Sequence, residues 1–133
     1  MRLSRKGEYA CLAILDLAEH CGEGHVKTAD ICARKDIPKS YLEQILLLLR
    51  RARYIRSARG TEGGHMLAKD PSAISVAEIV RLIDGPLAPV ESASEYYYEH
   101  TPIEKSPKFV SLFKEIRDHI SQKLEHTTFA DLL

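Results

Sequence analysis

A chain of 133 residues is one domain, or a small domain with an appendage, and can bury about two-thirds of its unfolded surface without staples. With 44% hydrophobic and 29% charged residues its composition is that of an ordinary globular protein, and apolar runs such as Cys11–Leu15 and Ile45–Leu49 fall far short of the ~18 residues of a membrane span. The net charge of zero conceals two halves of opposite sign, +5 over residues 1–69 and −5 over residues 70–133, which leaves a polyanion partner open for the first half.

The spacing of Ala10, Ala13, Ile14 and Leu17 predicts a helix over Leu3–His20, ended by Gly22 and Gly24. Tyr9, Leu12, Leu15 and Ala18 widen its apolar arc, so it is expected to be covered on more than one side. Thr28 is placed to cap a second helix, Ala29–Lys35, which Asp36-Ile37-Pro38 breaks. Ser40 followed by Glu43 reads as a capping box opening a third helix, about Tyr41 to Ala52. On that helix Leu42, Ile45, Leu46 and Leu49 form a stripe for burial, while Tyr41, Gln44, Leu48 and Arg51 face away.

Two short helices with a tight break are a helix-turn-helix candidate, and a β-hairpin next in the chain makes it a winged helix. The predicted strands are Tyr54–Ala58 and His65–Ala68, joined by the glycine-rich turn Arg59–Gly64. Ser75 and Glu78 form a second capping box, before a helix carrying Val76, Ile79, Val80 and Ile83 and stopped by Gly85-Pro86. Residues 86–107 read as an acidic, tyrosine-rich loop without period. A last helix, Lys108–His126, carries Phe109, Phe113, Ile116 and Ile120 at coiled-coil-like spacing, widened by Leu112 and Leu124, and is the candidate dimerisation element. The expected class is mainly α: a winged helix-turn-helix over 1–85, the loop over 86–107, and a dimerisation helix and tail over 108–133.

The chemistry favours binding over catalysis. No P-loop, Gly-x-Ser-x-Gly or His-Glu-x-x-His occurs, so an enzyme is not expected. Between Gln44 and Thr61 there is no acidic residue, yet Arg50, Arg51, Arg53, Arg56 and Arg59 fall within ten positions. Such a cluster suits double-stranded DNA, with a solvated helix end as the plainer alternative. Ser40, Tyr41 and Gln44 lie where recognition helices meet DNA, and Gln44 can pair with adenine. Glu43 either completes its capping box or meets a base edge. Arg51 and Arg59 are candidate phosphate or groove contacts, beside Gly60, Gly63 and Gly64 at the wing.

Cys11, Cys21 and Cys32 have neither Cys-x-x-Cys spacing nor an even count, so they make no disulfide framework or zinc ribbon. They stand as small buried residues, as candidate redox thiols, or as partners of His20, His25 and Glu8 in an incomplete metal set. Cys11 is the first redox candidate, because Lys6 and Arg5 could lower its pKa. No apolar segment of signal-peptide type follows Met1–Lys6, so the expected compartment is cytoplasmic.

The opening Met1-Arg2-Leu3-Ser4-Arg5-Lys6-Gly7-Glu8-Tyr9-Ala10, the segment Ser40-Tyr41-Leu42-Glu43-Gln44 and the turn Arg59-Gly60-x-x-Gly63-Gly64 together resemble the Rrf-two family of bacterial transcription regulators. The resemblance spans nearly the whole chain. It implies a winged helix with a long dimerisation helix, working as a homodimer on palindromic operators, with repression the expected mode. It places Ser40, Tyr41, Glu43, Gln44 and Arg59 on the family's DNA-contact positions. Cluster-binding members carry three cysteines in the loop before the long helix. Here Leu87–Pro107 has none, offering Ser92, Tyr96, Tyr97, Tyr98, Glu99, His100 and Glu104, so no cofactor and no conventional iron–sulfur cluster is expected. The alternative function is docking a partner protein, such as a metabolic enzyme, through this tyrosine-rich loop.

Overall fold

Ser4 starts the first helix by accepting a hydrogen bond from the Gly7 amide at 2.9 Å. In the computed structural model, which describes residues 1–133, four more helices and one hairpin follow. The order is α1 (Arg5–Glu19), α2 (Thr28–Lys35), α3 (Lys39–Arg51), β1 (Ile55–Ala58), β2 (Gly64–Leu67), α4 (Val76–Asp84) and α5 (Pro107–Glu125). The strands are antiparallel, with Ile55 opposite Leu67 and Ala58 opposite Gly64. The architecture is a winged helix-turn-helix with a long C-terminal helix, as the periodicity predicts.

The core forms where the apolar faces meet. Ala10, Ala13, Ile14 and Leu17 of α1 pack with Ile31 of α2, Leu42, Ile45, Leu46 and Leu49 of α3, Ile55 of β1 and Ile79 of α4. Burying a Leu or Ile side chain is worth about 1.5–3 kcal/mol, so this one cluster dominates the stability of the head. A smaller cluster, Ala77, Val80 and Leu87, receives Ile120 and Leu124 and so seats α5 on α4. The chain then returns to the head. The Val76 amide donates to the Thr127 carbonyl, the Phe129 amide donates to the Ile74 carbonyl, and the Phe129 ring is only 1% exposed within the main core.

Asp16 breaks the apolar pattern of α1 and is fully buried. Arg34 of α2 meets it with both arms of its fork, Nε to Oδ1 at 2.8 Å and Nη2 to Oδ2 at 2.9 Å. A buried carboxylate is tolerable because it is paired and hydrogen-bonded. The contact pins α1 to α2, eighteen residues apart in sequence.

Two local expectations are corrected. Thr28 does not cap α2: Lys27 holds the N-cap position without a side-chain bond, and Thr28 lies inside the helix. The capping box at Ser40 and Glu43 does not form either. Pro38 is the N-cap of α3 and its carbonyl accepts from the Leu42 amide at 3.0 Å, so the helix has begun before Ser40 is reached. The box at Ser75 and Glu78 does form in both directions. Residues 86–107 contain two short 3₁₀ turns, Glu91–Ala93 and Pro102–Lys105, and bury Leu87, Ala88, Ser92, Ala93 and Ser94.

Candidate nucleic-acid interface

The exposed side of α3 follows from its buried one. With Leu42, Ile45, Leu46 and Leu49 turned inward, Ser40, Tyr41, Glu43, Gln44, Leu47, Arg50 and Arg51 are left in solvent. Leu48, expected on this free face, is half-buried, and Leu47 is the exposed leucine. Tyr41 is held by Tyr9 of α1, the rings meeting edge to face with centroids 5.5 Å apart. Glu43, released from a capping role, lies on the surface with Lys39 at 3.9 Å. A pair that exposed contributes little and leaves the carboxylate free for another donor.

The arginine cluster surrounds the end of this helix. Arg53 adopts a left-handed conformation (φ 66°) in which its amide donates to the Arg50 carbonyl and the Tyr54 amide to the Leu49 carbonyl. That is a Schellman stop, with arginine where glycine is usual. It turns the chain into β1, so the cations are distributed over the end of α3, the turn after it, β1 and the wing. Arg50, Arg51, Arg53, Arg56 and Arg59 are all exposed, and none forms an ion pair within the protein. Elsewhere the acidic partners are close: Lys35 meets Glu19, Arg81 meets Glu125 and Arg117 meets Asp118. Five guanidinium groups without an ion-pair partner make this stretch of the surface strongly positive.

The wing stands beside them. Gly60 at its tip has φ 98°, which only glycine takes readily. Gly64 has φ 144°, and a Cβ there would come within 2.4 Å of the Val26 carbonyl oxygen. Gly63 is buried against the backbone of Ala58 and Arg59. Gly63 and Gly64 thus shape the wing from within, while Arg59 and Gly60 are exposed on it. Lys27 reaches the wing tip, its Nζ donating to the Thr61 carbonyl at 2.6 Å. Between α3 and the wing opens a cleft of about 360 Å³ lined by Thr28, Glu43, Leu46, Leu47, Arg50, Ser57 and His65. Sequence reasoning missed Thr28, Ser57 and His65 as members of this surface, because only the tertiary fold joins them.

The cysteines lie away from it. Cys11 is partly buried on α1, and burial followed by the charge of Asp84 pushes its thiol up to about 11. The expected lowering by Lys6 and Arg5 does not occur, and Arg5 is engaged with Glu8 instead. Cys21 is exposed and Cys32 partly buried. No three His, Cys, Asp or Glu side chains converge on one point. In the loop, Ser92 shares a hydrogen bond with Thr101 at 2.5 Å, and the Tyr98 hydroxyl and the His100 ring both meet the Glu104 carboxylate. Those bonds, Tyr98 foremost, hold Glu104 below the usual carboxylate range, and the carboxylate in turn raises Tyr98.

On α5 the seam divides. Ile120, together with Leu124, packs on the chain's own α4. Phe109 and Phe113 stack with centroids 6.4 Å apart, yet Phe109, Leu112 and Ile116 are 51%, 46% and 37% exposed. No residue of this nineteen-residue helix is buried. No helix of the chain is long and apolar enough to cross a membrane.

Comparison with known proteins agrees with this geometry. The Rrf2 (Rrf-two) family model, described as an iron-dependent transcriptional regulator, matches residues 3–133. The HTH-type transcriptional regulator CymR of Bacillus subtilis is 33% identical over 132 residues, covering 99% of this chain and 89% of the relative. The HTH-type transcriptional regulator IscR of Photorhabdus laumondii is 49% identical over 84 residues, 63% of this chain and 51% of the relative. The solved structure of CymR, described as the global cysteine regulator of B. subtilis, superposes with a TM-score of 0.80 at 32% identity, covering 99% of this chain and 95% of that one.

Proposed function

The chain belongs to the Rrf2 family and is a DNA-binding transcription regulator rather than an enzyme; from there we propose that it acts as a cytoplasmic homodimeric repressor on a palindromic operator, without a conventional iron–sulfur cluster. The observation that carries the reading is the set of five exposed arginines, none in an ion pair, between the end of α3 and the wing. On this reading the exposed start of α3 enters the major groove. Ser40 and Tyr41 donate to phosphate, Gln44 reads an adenine edge, and Glu43 accepts from a cytosine amino group or rejects the wrong base. Arg51 and Arg59 hold the backbone or the minor groove on either side. Gly60 lets the wing tip approach, with Gly63 and Gly64 beneath it.

Dimerisation is supported by the open face of Phe109, Leu112, Phe113 and Ile116, which a second copy of α5 would cover. A two-fold pair of heads then matches two half-sites one helical turn apart. The cluster-free reading rests on donor chemistry. The loop before α5 presents hydroxyl, phenol, imidazole and carboxylate groups, whereas iron–sulfur clusters are held by thiolates. A second reading, docking of a partner protein, is favoured by the exposed Tyr96, Tyr97 and Tyr98 beside the anchored part of the loop.

The test is a duplex selected by the protein from a random-sequence library, followed by fluorescence anisotropy at several salt concentrations. Each phosphate neutralised contributes a slope of about −0.9 in log affinity against log salt. A slope near zero would refute the arginine cluster as the DNA surface. The absorption spectrum of anaerobically purified protein checks the cluster, and charge-transfer bands between sulfide and iron would overturn that part.

A further inference from the structure

His65 is the one ring in the molecule that joins three elements at the reading surface. It sits on β2, half-buried, in the cleft between α3 and the wing. Its Nδ1 lies 2.7 Å from Ser57 Oγ on β1, and its Nε2 lies 3.0 Å from Thr28 Oγ1 on α2. Its backbone exchanges two hydrogen bonds with Val26, at 2.7 and 2.8 Å. Both ring nitrogens are therefore committed, one within the hairpin and one across to the helix-turn-helix. Lys27 adds a second strap, to the carbonyls of Thr61 and Gly63.

We propose that His65 is the positioning residue that sets the wing against α2 of the helix-turn-helix, and that operator binding is coupled to uptake of a proton on its ring. The inference rests on the DNA-binding reading and adds to it a residue outside the recognition helix and the wing tip. Charged and titratable groups surround the ring. Arg50 and Glu43 come from α3, His25 and Lys27 come from the segment leading into α2, and β1 supplies the Ser57 hydroxyl. In the free protein burial, then Arg50, then His25 hold the ring below its ordinary value of 6.5, so it is neutral near pH 7. Both hydroxyls can accept as well as donate, so protonation keeps the two bonds and changes only the charge. Phosphates brought against Arg50 remove much of its repulsion and add an attraction of their own. The ring of the complex therefore titrates higher than that of the free protein. Affinity must then rise as pH falls through the window between the two values, and be level above it.

Two variants separate the bonds from the proton. His65→Gln places its amide where Nε2 was and keeps the reach to Thr28, but cannot titrate. His65→Asn places its amide where Nδ1 was and keeps Ser57 alone. With the duplex selected by the wild-type protein, His65→Asn should bind about fivefold more weakly than His65→Gln at pH 8, the usual size of one lost hydrogen bond. Equal affinities would overturn the positioning role. As the pH falls from 8 the wild type should gain over His65→Gln, by up to about tenfold for each unit by which DNA raises the ring, the full gain being reached below the free ring's own value. Parallel pH profiles would overturn the proton coupling. Ring titration of wild-type His65 by NMR, free and with the duplex, needs no variant, and an unchanged value in the complex would refute the coupling directly. Failure of the wild-type protein to select any duplex would count against the DNA reading itself, and the proposal with it. Selection followed by indifferent variants would count against His65 alone.

Discussion

Replacing Ile116 by aspartate should separate the proposed dimer into folded monomers. Phe109, Leu112 and Ile116 are 51%, 46% and 37% exposed on the open face of α5. Full burial of such a side chain is worth about 1.5–3 kcal/mol, so covering the exposed part yields about 1 kcal/mol each, or about 6 kcal/mol over both protomers. Ile116→Asp forfeits its share and buries an unpaired carboxylate, costing about 3–4 kcal/mol per protomer in all. The two-fold axis doubles that to about 6–8 kcal/mol, and the dimer constant should weaken by more than about four decades. Ile116 belongs to neither buried cluster of its own chain, so circular dichroism should change little and the melting temperature fall only modestly. Sedimentation velocity over a range of concentrations reads the mass, and anisotropy with the selected duplex should show lost binding. A variant that sediments as the same dimer as wild type would refute the assignment of this face.

Arg59→Ala should lose about 1–3 kcal/mol of operator binding, whereas Lys105→Ala, in the acidic half, should lose nothing measurable by anisotropy; equal losses would remove the wing from the DNA. Arg34→Ala leaves the Asp16 carboxylate buried without its partner. The expected cost is about 3 kcal/mol, the low end for such pairs because the guanidinium is partly exposed, and urea unfolding should show it. With its thiol near 11, Cys11 is almost wholly protonated at neutral pH. Timed alkylation at pH 7.5 with mass spectrometry should therefore label the exposed Cys21 well before Cys11, and the reverse order would contradict the burial argument. The same shift makes wild-type stability fall as pH rises from the thiol's ordinary 9 towards 11, because the unfolded chain releases that proton first. Cys11→Ala should flatten that part of the urea profile.

Much of the head was legible because its elements are built on local repeats. The stripe Leu42, Ile45, Leu46 and Leu49 is one face of a 3.6-residue period, and all four are buried. The glycine-rich turn between two short apolar runs marks the hairpin. Capping was less legible, and the two boxes show why. Ser75 has a chain in extended conformation before it and becomes the cap, whereas Pro38 has already fixed the entry to α3, so the same four-residue pattern at Ser40 arrives too late. The partner of Asp16 is eighteen residues away and that of His65 thirty-seven, separations at which sequence carries no periodic signal. Phe129 likewise gives no hint that it belongs with residues a hundred positions earlier. The five arginines were visible as a cluster, but their freedom from acidic partners is a tertiary fact.

The insertion of Phe129 bears on how the regulator is made. The head is built from residues before Gly85, yet its core takes in a ring that follows α5 in the chain. A nascent chain halted before that ring carries a hole of phenylalanine size, a defect worth about 3–5 kcal/mol in comparable cores and a large part of a small domain's whole stability. A head that lacks the segment after α5 is thus poorly filled, and a stable head comes only with α5 attached. A head that folds well therefore carries the open apolar face of α5 with it.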